Sequence, residues 1–326
     1  MNYPMIENAD EKLREICVEG INEKYGEPLK NTAMCRLEQE LSIVEKQGSA
    51  SGYLTVINAL RAAQVEASEL FFCGCIASSV LAYAAGLSDL EPLTCVPKLY
   101  SEFHFGLHGE RHPAFEVRVT KENHDRLLQY FENYPGPEKI TKRVDEFGTV
   151  FGVTIGETDK NEIGELFRMN IIPGDDVAIS ADEEITGEIL EACAPESDAD
   201  YVKCLGLRHS TGAWRDNAEI LVREGTAPLK DLIANREDVY EFLMEHGVER
   251  DKAFEIAEFV RKGRAKRRGW KDGMLETMQE AGIPAWYINS CEKIGYLFTR
   301  AHLYLFFRKY ISSMMVNGIF GLSFRP

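Results

Sequence analysis

The sequence contains no apolar run long enough to cross a bilayer. Its best stretch, Leu303 to Phe324, is interrupted by Arg308 and Lys309, whereas a spanning helix needs about 20 mostly apolar residues. A secretion signal is also missing. The opening MNYPMIENADEKLRE is polar and acidic rather than basic and then apolar. These two absences point to the cytoplasm and away from membranes. Cysteines spaced for a framework are lacking as well. The eight cysteines are scattered, most of them in apolar settings (Cys17, Cys193, Cys204, Cys291), which argues for a reducing compartment and against structural disulfides. Cys73 and Cys75 form a C-x-C with no second pair at zinc-ribbon spacing. There is no low-complexity tract and no internal repeat. Positive charge is scarce, with 37 Lys and Arg against 53 Asp and Glu and a net charge of −16, which taken alone argues against a nucleic-acid partner.

What is present qualifies that last exclusion. The chain has 326 residues, 44% of them hydrophobic, enough for a sizeable core and for one large or two ordinary domains. The charge is unevenly spread. Residues 201–326 carry 20 Lys and Arg against 16 Asp and Glu, a net +4, which leaves −20 for residues 1–200. The cations concentrate in RKGRAKRRGWK (Arg261–Lys271), where seven of eleven residues are basic. Such a run reads either as a phosphate contact or as a solvated loop.

Periodicity organises the rest. In RLEQELSIVEKQ (residues 36–47), Leu37, Leu41 and Val44 recur at helical spacing before Gly48, a stop signal. LFFCGCIASSVLAYAAGL (Leu70–Leu87) reads as an apolar strand, a small-residue turn at Gly74 and a helix ending at Gly86. A strand, tight turn and helix start can hold phosphate through backbone N–H groups, and a packed core helix explains the same pattern. PAFEVRV (Pro113–Val119) alternates, with Phe115, Val117 and Val119 on one face and Ala114, Glu116 and Arg118 on the other. TVFGVTIG (Thr149–Gly156) is a second strand candidate. From about Asp182 the pattern turns helical: Ala253, Ala257 and Val260 form a stripe ending at Gly263, and Met274 and Met278 form another before Gly282. The polar PESDAD (Pro195–Asp200) marks a join, so the expected organisation is a mixed domain over residues 1–200 and a helical one over 201–326. His104, His108 and His112 recur every four residues and would share a helix face able to bind zinc, but Gly106 and Gly109 favour a loop.

Several blocks in one order resemble the PolC-type (C-family) alpha subunit of bacterial DNA polymerase III. They are Ile6–Leu29, Arg36–Val44, GCIASSVLAYAAGLSDLEPL (Gly74–Leu93), GERHPAFEVRV (Gly109–Val119), GLRHSTGAWRDNA (Gly206–Ala218), Val260–Arg264 and WYINSCEKIGYLFTRAH (Trp286–His302). The resemblance runs from Ile6 to about Lys309 and is thinnest between Thr120 and Asp182. It implies an α+β fold, with a reduced nucleotidyltransferase-like palm and a thumb element followed by a mostly helical fingers domain. The family's upstream exonuclease and phosphoesterase domains and its downstream clamp-binding region have no counterpart in this sequence.

The resemblance also implies a two-metal nucleotidyl transfer, in which divalent ions, normally Mg2+, offset charge on the attacking and leaving oxygens. Magnesium needs hard oxygen ligands. Where the family strand reads Pro-Asp-Ile-Asp-Leu-Asn, this chain has Pro113-Ala114-Phe115-Glu116-Val117-Arg118. Ala114 offers no ligand, and Glu116 is the one surviving acid and metal candidate. The family's third acid falls on Asn170 or on Phe131, depending on placement. Cys73 replaces the phosphate-binding Arg of the palm turn. Arg261, Lys262, Arg264, Arg300 and His302 match family positions near incoming nucleotide or template, His209 and Thr211 keep a fingers motif, and Gly74 and Ser78 lie in the palm-turn motif, while Lys266, Arg267 and Arg268 are candidates through the basic run. Trp286 and Tyr287 are expected to pack the helical core, and Trp214 and Asn217 are kept residues that could serve the fold alone. The expectation is a catalytically inactive polymerase relative that binds DNA, nucleotide or a replication partner with modest, salt-dependent affinity. The alternatives are an active Mg2+-dependent nucleotidyltransferase rebuilt on Glu116 with Asp175 or Asp176, and a protein-interaction module with no nucleic-acid role.

Overall fold

The computed structural model describes residues 3–137, 139–146, 148–153, 164–172 and 185–316. The chain divides into two compact units, Met1–Val177 and Ala178–Pro326. The architecture is α+β, and among the described residues the strands lie in the first unit.

The first unit opens with three helices, α1 (Ala9–Lys24), α2 (Leu29–Gln47) and α3 (Ala50–Ala63). The α2 stripe buries Ala33, Leu37, Leu41 and Val44. The helix stops where the sequence predicts, with Gly48 in the left-handed conformation (φ 61°), a geometry glycine adopts without steric cost. It starts about two turns earlier, at Leu29, than the stripe over residues 36–47 alone indicates. The stretch Leu70–Leu87 becomes β1 (Phe71–Phe72), a single 3-10 turn at Ile76–Ser78 and the short helix α4 (Val80–Ala84), with Gly86 at φ 76°. A one-turn helix, α5 (Glu102–Phe105), precedes β2 (Phe115–Val119).

The alternation of β2 is reproduced in its burial. Phe115, Val117 and Val119 are at most 1% exposed, while Glu116 on the opposite face is exposed. Burying such side chains contributes roughly 1.5–3 kcal/mol each, which fixes the face the strand turns inward. Helix α6 (Lys121–Glu132) follows, then β3 (Ile140–Asp145), β4 (Gly148–Val153) and β5 (Gly164–Ile171). The sheet order is β1-β2-β5-β4-β3, with β2 and β5 parallel and the other neighbours antiparallel. Phe131 of α6 stacks on Phe151 at 4.6 Å and lies 5.2 Å from Phe167, so α6 covers one sheet face.

The second unit is helical: α7 (Gly187–Cys193), α8 (Asp198–His209), α9 (Glu219–Arg223), α10 (Arg236–Glu245), α11 (Arg250–Arg261), α12 (Arg264–Arg268), α13 (Met274–Glu280), α14 (Ala285–Lys293) and α15 (Arg300–Val316). The expected stripes are interior: Ala253, Ala257 and Val260 of α11 and Met274 and Met278 of α13 are at most 1% exposed. Among the described residues, no helix is long and apolar enough to cross a membrane.

Candidate functional site

Two places gather the residues singled out in the sequence. The first is the sheet face away from α6. Strands β2 and β5 run parallel with Glu116 opposite Arg168 and Arg118 opposite Asn170, so these four side chains project from the same face. The Asn170 amide Nδ2 donates to Glu116 Oε1 at 2.9 Å. Its other atom, Oδ1, is buried and has no hydrogen-bond partner among the described residues. The amide sits over Gly148 (φ 133°), where a Cβ would collide with Asn170 Oδ1 and the Met169 carbonyl. Arg168 is held in a carboxylate fork: its Nη1 is 2.7 Å from Asp145 Oδ1 and its Nε 2.8 Å from Glu165 Oε1. Those charge-assisted bonds keep its pKa above the ordinary arginine value. The Arg118 guanidinium lies 5.6 Å from the Phe71 ring centre. Cys73 extends β1 by one pairing, its N–H donating to the Glu116 carbonyl at 2.8 Å. Ala114, exposed, precedes the strand.

The turn between β1 and α4 is internally satisfied. Glu40 of α2, 1% exposed, accepts from Ser79 Oγ at 2.7 Å, from Leu81 N at 2.8 Å and from Val80 N at 3.3 Å, while Ser79 Oγ accepts from Ala82 N at 3.1 Å. Arg36 reaches the same carboxylate at 3.1 Å. Ser78 Oγ donates to the Cys75 carbonyl at 2.7 Å. The first N–H groups of α4, which the sequence offered as a phosphate cradle, are thus engaged by a resident carboxylate and hydroxyl.

The second place is in the helical unit. The segments Gly206–Ala218, Arg261–Gly263 and Trp286–His302, distant in sequence, fold into one cluster. The Thr211 N–H donates to the Tyr296 carbonyl at 2.9 Å, and Gly295 N–H returns a bond to the Thr211 carbonyl at 2.7 Å. Asn217 Nδ2 donates to the Gly212 carbonyl at 2.8 Å, and Ser290 Oγ donates to Asn217 Oδ1 at 2.7 Å. Leu297 N–H donates to the Arg261 carbonyl at 3.1 Å. Gly263 (φ 60°) lies so close to Gly295 that any Cβ there would overlap its carbonyl. The chain then enters α12, whose Ala265 is 4% exposed while Arg264, Lys266, Arg267 and Arg268 all face solvent. One apolar anchor in a five-residue helix sends its four cations outward.

Comparisons with known proteins find similarity to bacterial DNA polymerase III. A model described as the bacterial DNA polymerase III alpha NTPase domain matches residues 11–153. The DNA polymerase III PolC-type of Oceanobacillus iheyensis is 40% identical over 203 residues, 61% of this chain and 13% of that protein. That of Halalkalibacterium halodurans is 37% identical over 195 residues, 55% of this chain and 13% of its own length. The Staphylococcus epidermidis protein is 42% identical over 115 residues, 35% of this chain and 8% of its own. Over these stretches the chain is similar to PolC-type DNA polymerase III. It spans 8% to 13% of the length of these PolC-type relatives.

Set against the PolC-type pattern, the predicted site residues separate into three groups. Glu116 and Asn170 meet on the open sheet face. Phe131, the other position considered for the third acid, is 1% exposed on the covered face. The described residues do not fit a pair of divalent ions. Glu116 receives an amide N–H and the neighbouring Asp145 and Glu165 are taken up by Arg168, which leaves too few hard oxygens, and no group of three His, Cys, Asp or Glu able to hold a metal comes together among the described residues. Asp175 and Asp176 lie outside them.

A second group is interior. Arg300 and His302, expected near nucleotide or template, are 1% and 3% exposed. Arg300 Nη1 is 2.8 Å from Glu241 Oε1, Nη2 is 3.1 Å from Asp238 Oδ1, and its backbone N–H donates to Glu237 Oε2 at 2.9 Å. Asp238 also caps α10 through the Ala234 and Asn235 N–H groups and pairs with Lys203 at 3.0 Å. The His302 ring stacks on Phe298 at 4.9 Å. His209 is half-buried, with its ring 4.9 Å from Phe306. Tyr287 is fully buried, stacked on Phe242 at 3.8 Å, and its hydroxyl donates to the Asp238 carbonyl at 3.2 Å. His104 turns inward to bond the Tyr53 hydroxyl at 2.8 Å while His108 and His112 are exposed, so the three histidines share no face.

The third group is solvent-facing charge. Arg261 is held by Glu258 at 3.2 Å and lies 5.6 Å from the Tyr296 ring centre, and Lys262 lies 3.8 Å from the same Glu258. Arg264, Lys266 and Arg268 extend beyond them, and Arg267 bonds the Lys262 carbonyl. Sequence reasoning missed Glu40, Arg36, Lys203, Arg236, Glu237 and Asp238 as organising residues. A buried charge leaves no periodic signal until its partners from other helices arrive.

Proposed function

We propose that this PolC-like chain is a non-catalytic polymerase-core protein with a reduced nucleotidyltransferase-like palm, and that it binds primer–template DNA through the cations of α12. The observation that carries the reading is the Asn170–Glu116 pair. On the open sheet face an amide donates into Glu116, the neighbouring Asp145 and Glu165 carboxylates are engaged by Arg168, and Ala114 contributes no ligand atom, where the family's chemistry requires several free acids. Support for DNA comes from Arg264, Lys266 and Arg268, exposed and outside any ion pair among the described residues, on a helix flanked by two positive-φ glycines, Gly263 and Gly269. Neutralising phosphates releases counterions, so binding of this kind weakens steeply with salt. The net charge of −20 over residues 1–200 keeps the affinity modest. A replication-linked role of this sort is cytoplasmic.

Primer extension with Mg2+ or Mn2+ on a primed template tests the catalytic half. No nucleotide incorporation is expected. Incorporation that vanishes in Glu116→Ala overturns the reading. Fluorescence titration with the same primer–template tests the binding half, with salt-dependent binding as the expected result. A protein that binds no DNA at low salt refutes it.

A further inference from the structure

We propose that Glu258 is a built-in competitor for phosphate: it holds Arg261 and Lys262 back from nucleic acid, and a phosphate backbone engages these two cations by drawing them off it. This rests on the reading of α12 as a DNA contact and adds a regulating residue to that surface. Glu258 lies near the end of α11 and is half-buried. Its carboxylate faces three cations: Arg236 Nη1 is 2.8 Å from Oε1, Arg261 Nε is 3.2 Å from the same oxygen, and Lys262 Nζ is 3.8 Å from Oε2. The pairs are unequal. Arg236 is 1% exposed, and a buried guanidinium stripped of its carboxylate is an uncompensated interior charge. That bond keeps Glu258 in place whatever its other partners do. The pairs to Arg261 and Lys262, three and four residues on, are longer, and the Lys262 side chain is 41% exposed. Helix-surface pairs of this kind hold weakly in water. An arriving phosphate can therefore take both cations while the carboxylate stays with Arg236.

The backbone beneath these cations is fixed, so exchange involves the side chains alone. The Arg261 carbonyl accepts from Leu297 N–H at 3.1 Å, the Lys262 carbonyl accepts from the Arg267 guanidinium, and Gly263 packs against Gly295. Arg261 already has a second hold at the solvent edge, where its Nη1 donates to the hydroxyl of exposed Tyr296 at 3.3 Å. Arg264, Lys266 and Arg268, in the helix that follows, lie outside any ion pair among the described residues. The surface thus carries cations of two classes. Those of α12 meet phosphate directly, and Arg261 and Lys262 are released to it by Glu258. Glu258 thereby lowers both the affinity and the salt dependence of the surface, relative to one on which all of these cations stood free.

Fluorescence titration of the full chain with primer–template across a salt series tests it, comparing the unaltered protein with Glu258→Gln, whose amide oxygen can still accept from Arg236 without carrying charge. Affinity at low salt should rise by roughly 1.4- to fivefold for each pair released, the worth of an exposed ion pair. The slope of log K against log salt should steepen by up to about 0.9 for each cation that gains a phosphate. Both gains should vanish when Arg261→Gln and Lys262→Gln are added; a gain that survives them reflects net charge alone and overturns the proposal. An unchanged affinity and slope in Glu258→Gln, with binding intact, overturns it too and leaves the DNA reading standing. If the unaltered chain binds no primer–template at low salt, both fall. If Glu258→Gln fails to fold, Arg261→Gln with Lys262→Gln in the otherwise unaltered chain decides. The slope should then flatten by well under about 1.8, the value for two freely available contacts, and a loss of that full size overturns the proposal.

Discussion

Replacing Arg300 separates an interior strut from a phosphate contact. In the structure its guanidinium holds Glu241 and Asp238, its backbone N–H holds Glu237, and the side chain is 1% exposed. Arg300→Ala leaves these carboxylates without their shared cation at the junction of α10 and α15. Removing one partner of a buried ion pair costs about 3–5 kcal/mol, most of it the penalty for the charges left behind. Domains of this size are held by about 5–15 kcal/mol in total, so the loss is a large fraction of the unit's stability. In a urea titration followed by helical ellipticity, the transition assigned to the helical unit should move down by more than about 1 M, given slopes of about 1–3 kcal/mol per molar. Combining Arg300→Met with Glu241→Gln should recover part of that shift, because the carboxylate that loses its two-pronged partner is then neutral, while Asp238 keeps Lys203. Arg300→Lys should lie between, keeping the charge but losing the two-pronged grip on Glu241. The reasoning fails if Arg300→Ala unfolds within about 0.5 kcal/mol of the unaltered chain, the range of ordinary surface substitutions, while its primer–template affinity collapses.

Changing Lys266, Arg267 and Arg268 together to Gln should weaken primer–template binding and flatten its salt dependence, with the slope of log K against log salt falling by about 0.9 for each phosphate that is no longer neutralised; an unchanged slope would remove α12 from the interface. Burial pushes the Asp238 carboxyl up, but Lys203 and Arg300 outweigh it and hold the pKa below its ordinary value. The stability it contributes is complete above its unfolded pKa of about 3.9 and is lost as pH falls through the lower folded value. Glu237, raised by burial, works in the opposite sense, its ionisation weakening the fold between the two values. The stability gap between the chain and Asp238→Asn, read from urea curves, should therefore be widest near neutrality and shrink below about pH 4; a gap constant from neutral to acidic pH would contradict this. Asn217→Ala should destabilise the helical unit by about 1–3 kcal/mol by leaving buried Ser290 and Gly212 groups unpaired, with no loss of DNA affinity in the folded fraction. Gly148→Ala should disturb the Asn170 amide through both its φ and the missing space, visible as a change in the Asn170 side-chain amide resonances; unaltered resonances would count against the packing described.

Local elements were legible because their signals are local. The alternation of Phe115, Val117 and Val119 gave the inward face of β2, and the stripe Leu37, Leu41, Val44 with Gly48 gave the buried face and end of α2. The similarity to PolC-type proteins was legible in the ordered blocks, and Gly206–Ala218 and Trp286–His302, far apart in sequence, meet through Thr211, Asn217 and Ser290. Residue roles were less so. A cation matched to a binding motif looks the same in sequence whether it faces solvent, as Lys266 does, or three carboxylates, as Arg300 does. That distinction depends on where α10 lies in space. The same limit hid Glu40, whose importance exists only once α2 and α4 are neighbours.

Glu40 has a consequence for how this chain can tell ligands apart. A helix start without a counter-ion is a discriminating receptor: its N–H groups are fixed in direction and read the geometry of an oxyanion. With a carboxylate from its own chain seated there, the β1–α4 turn has lost that selectivity to its own architecture. Under the proposed reading, recognition of a phosphate backbone falls to long flexible cations such as those of α12, which sense charge density and distance but not shape. A protein built this way would follow a phosphate backbone wherever it runs and be indifferent to which nucleotide it carries.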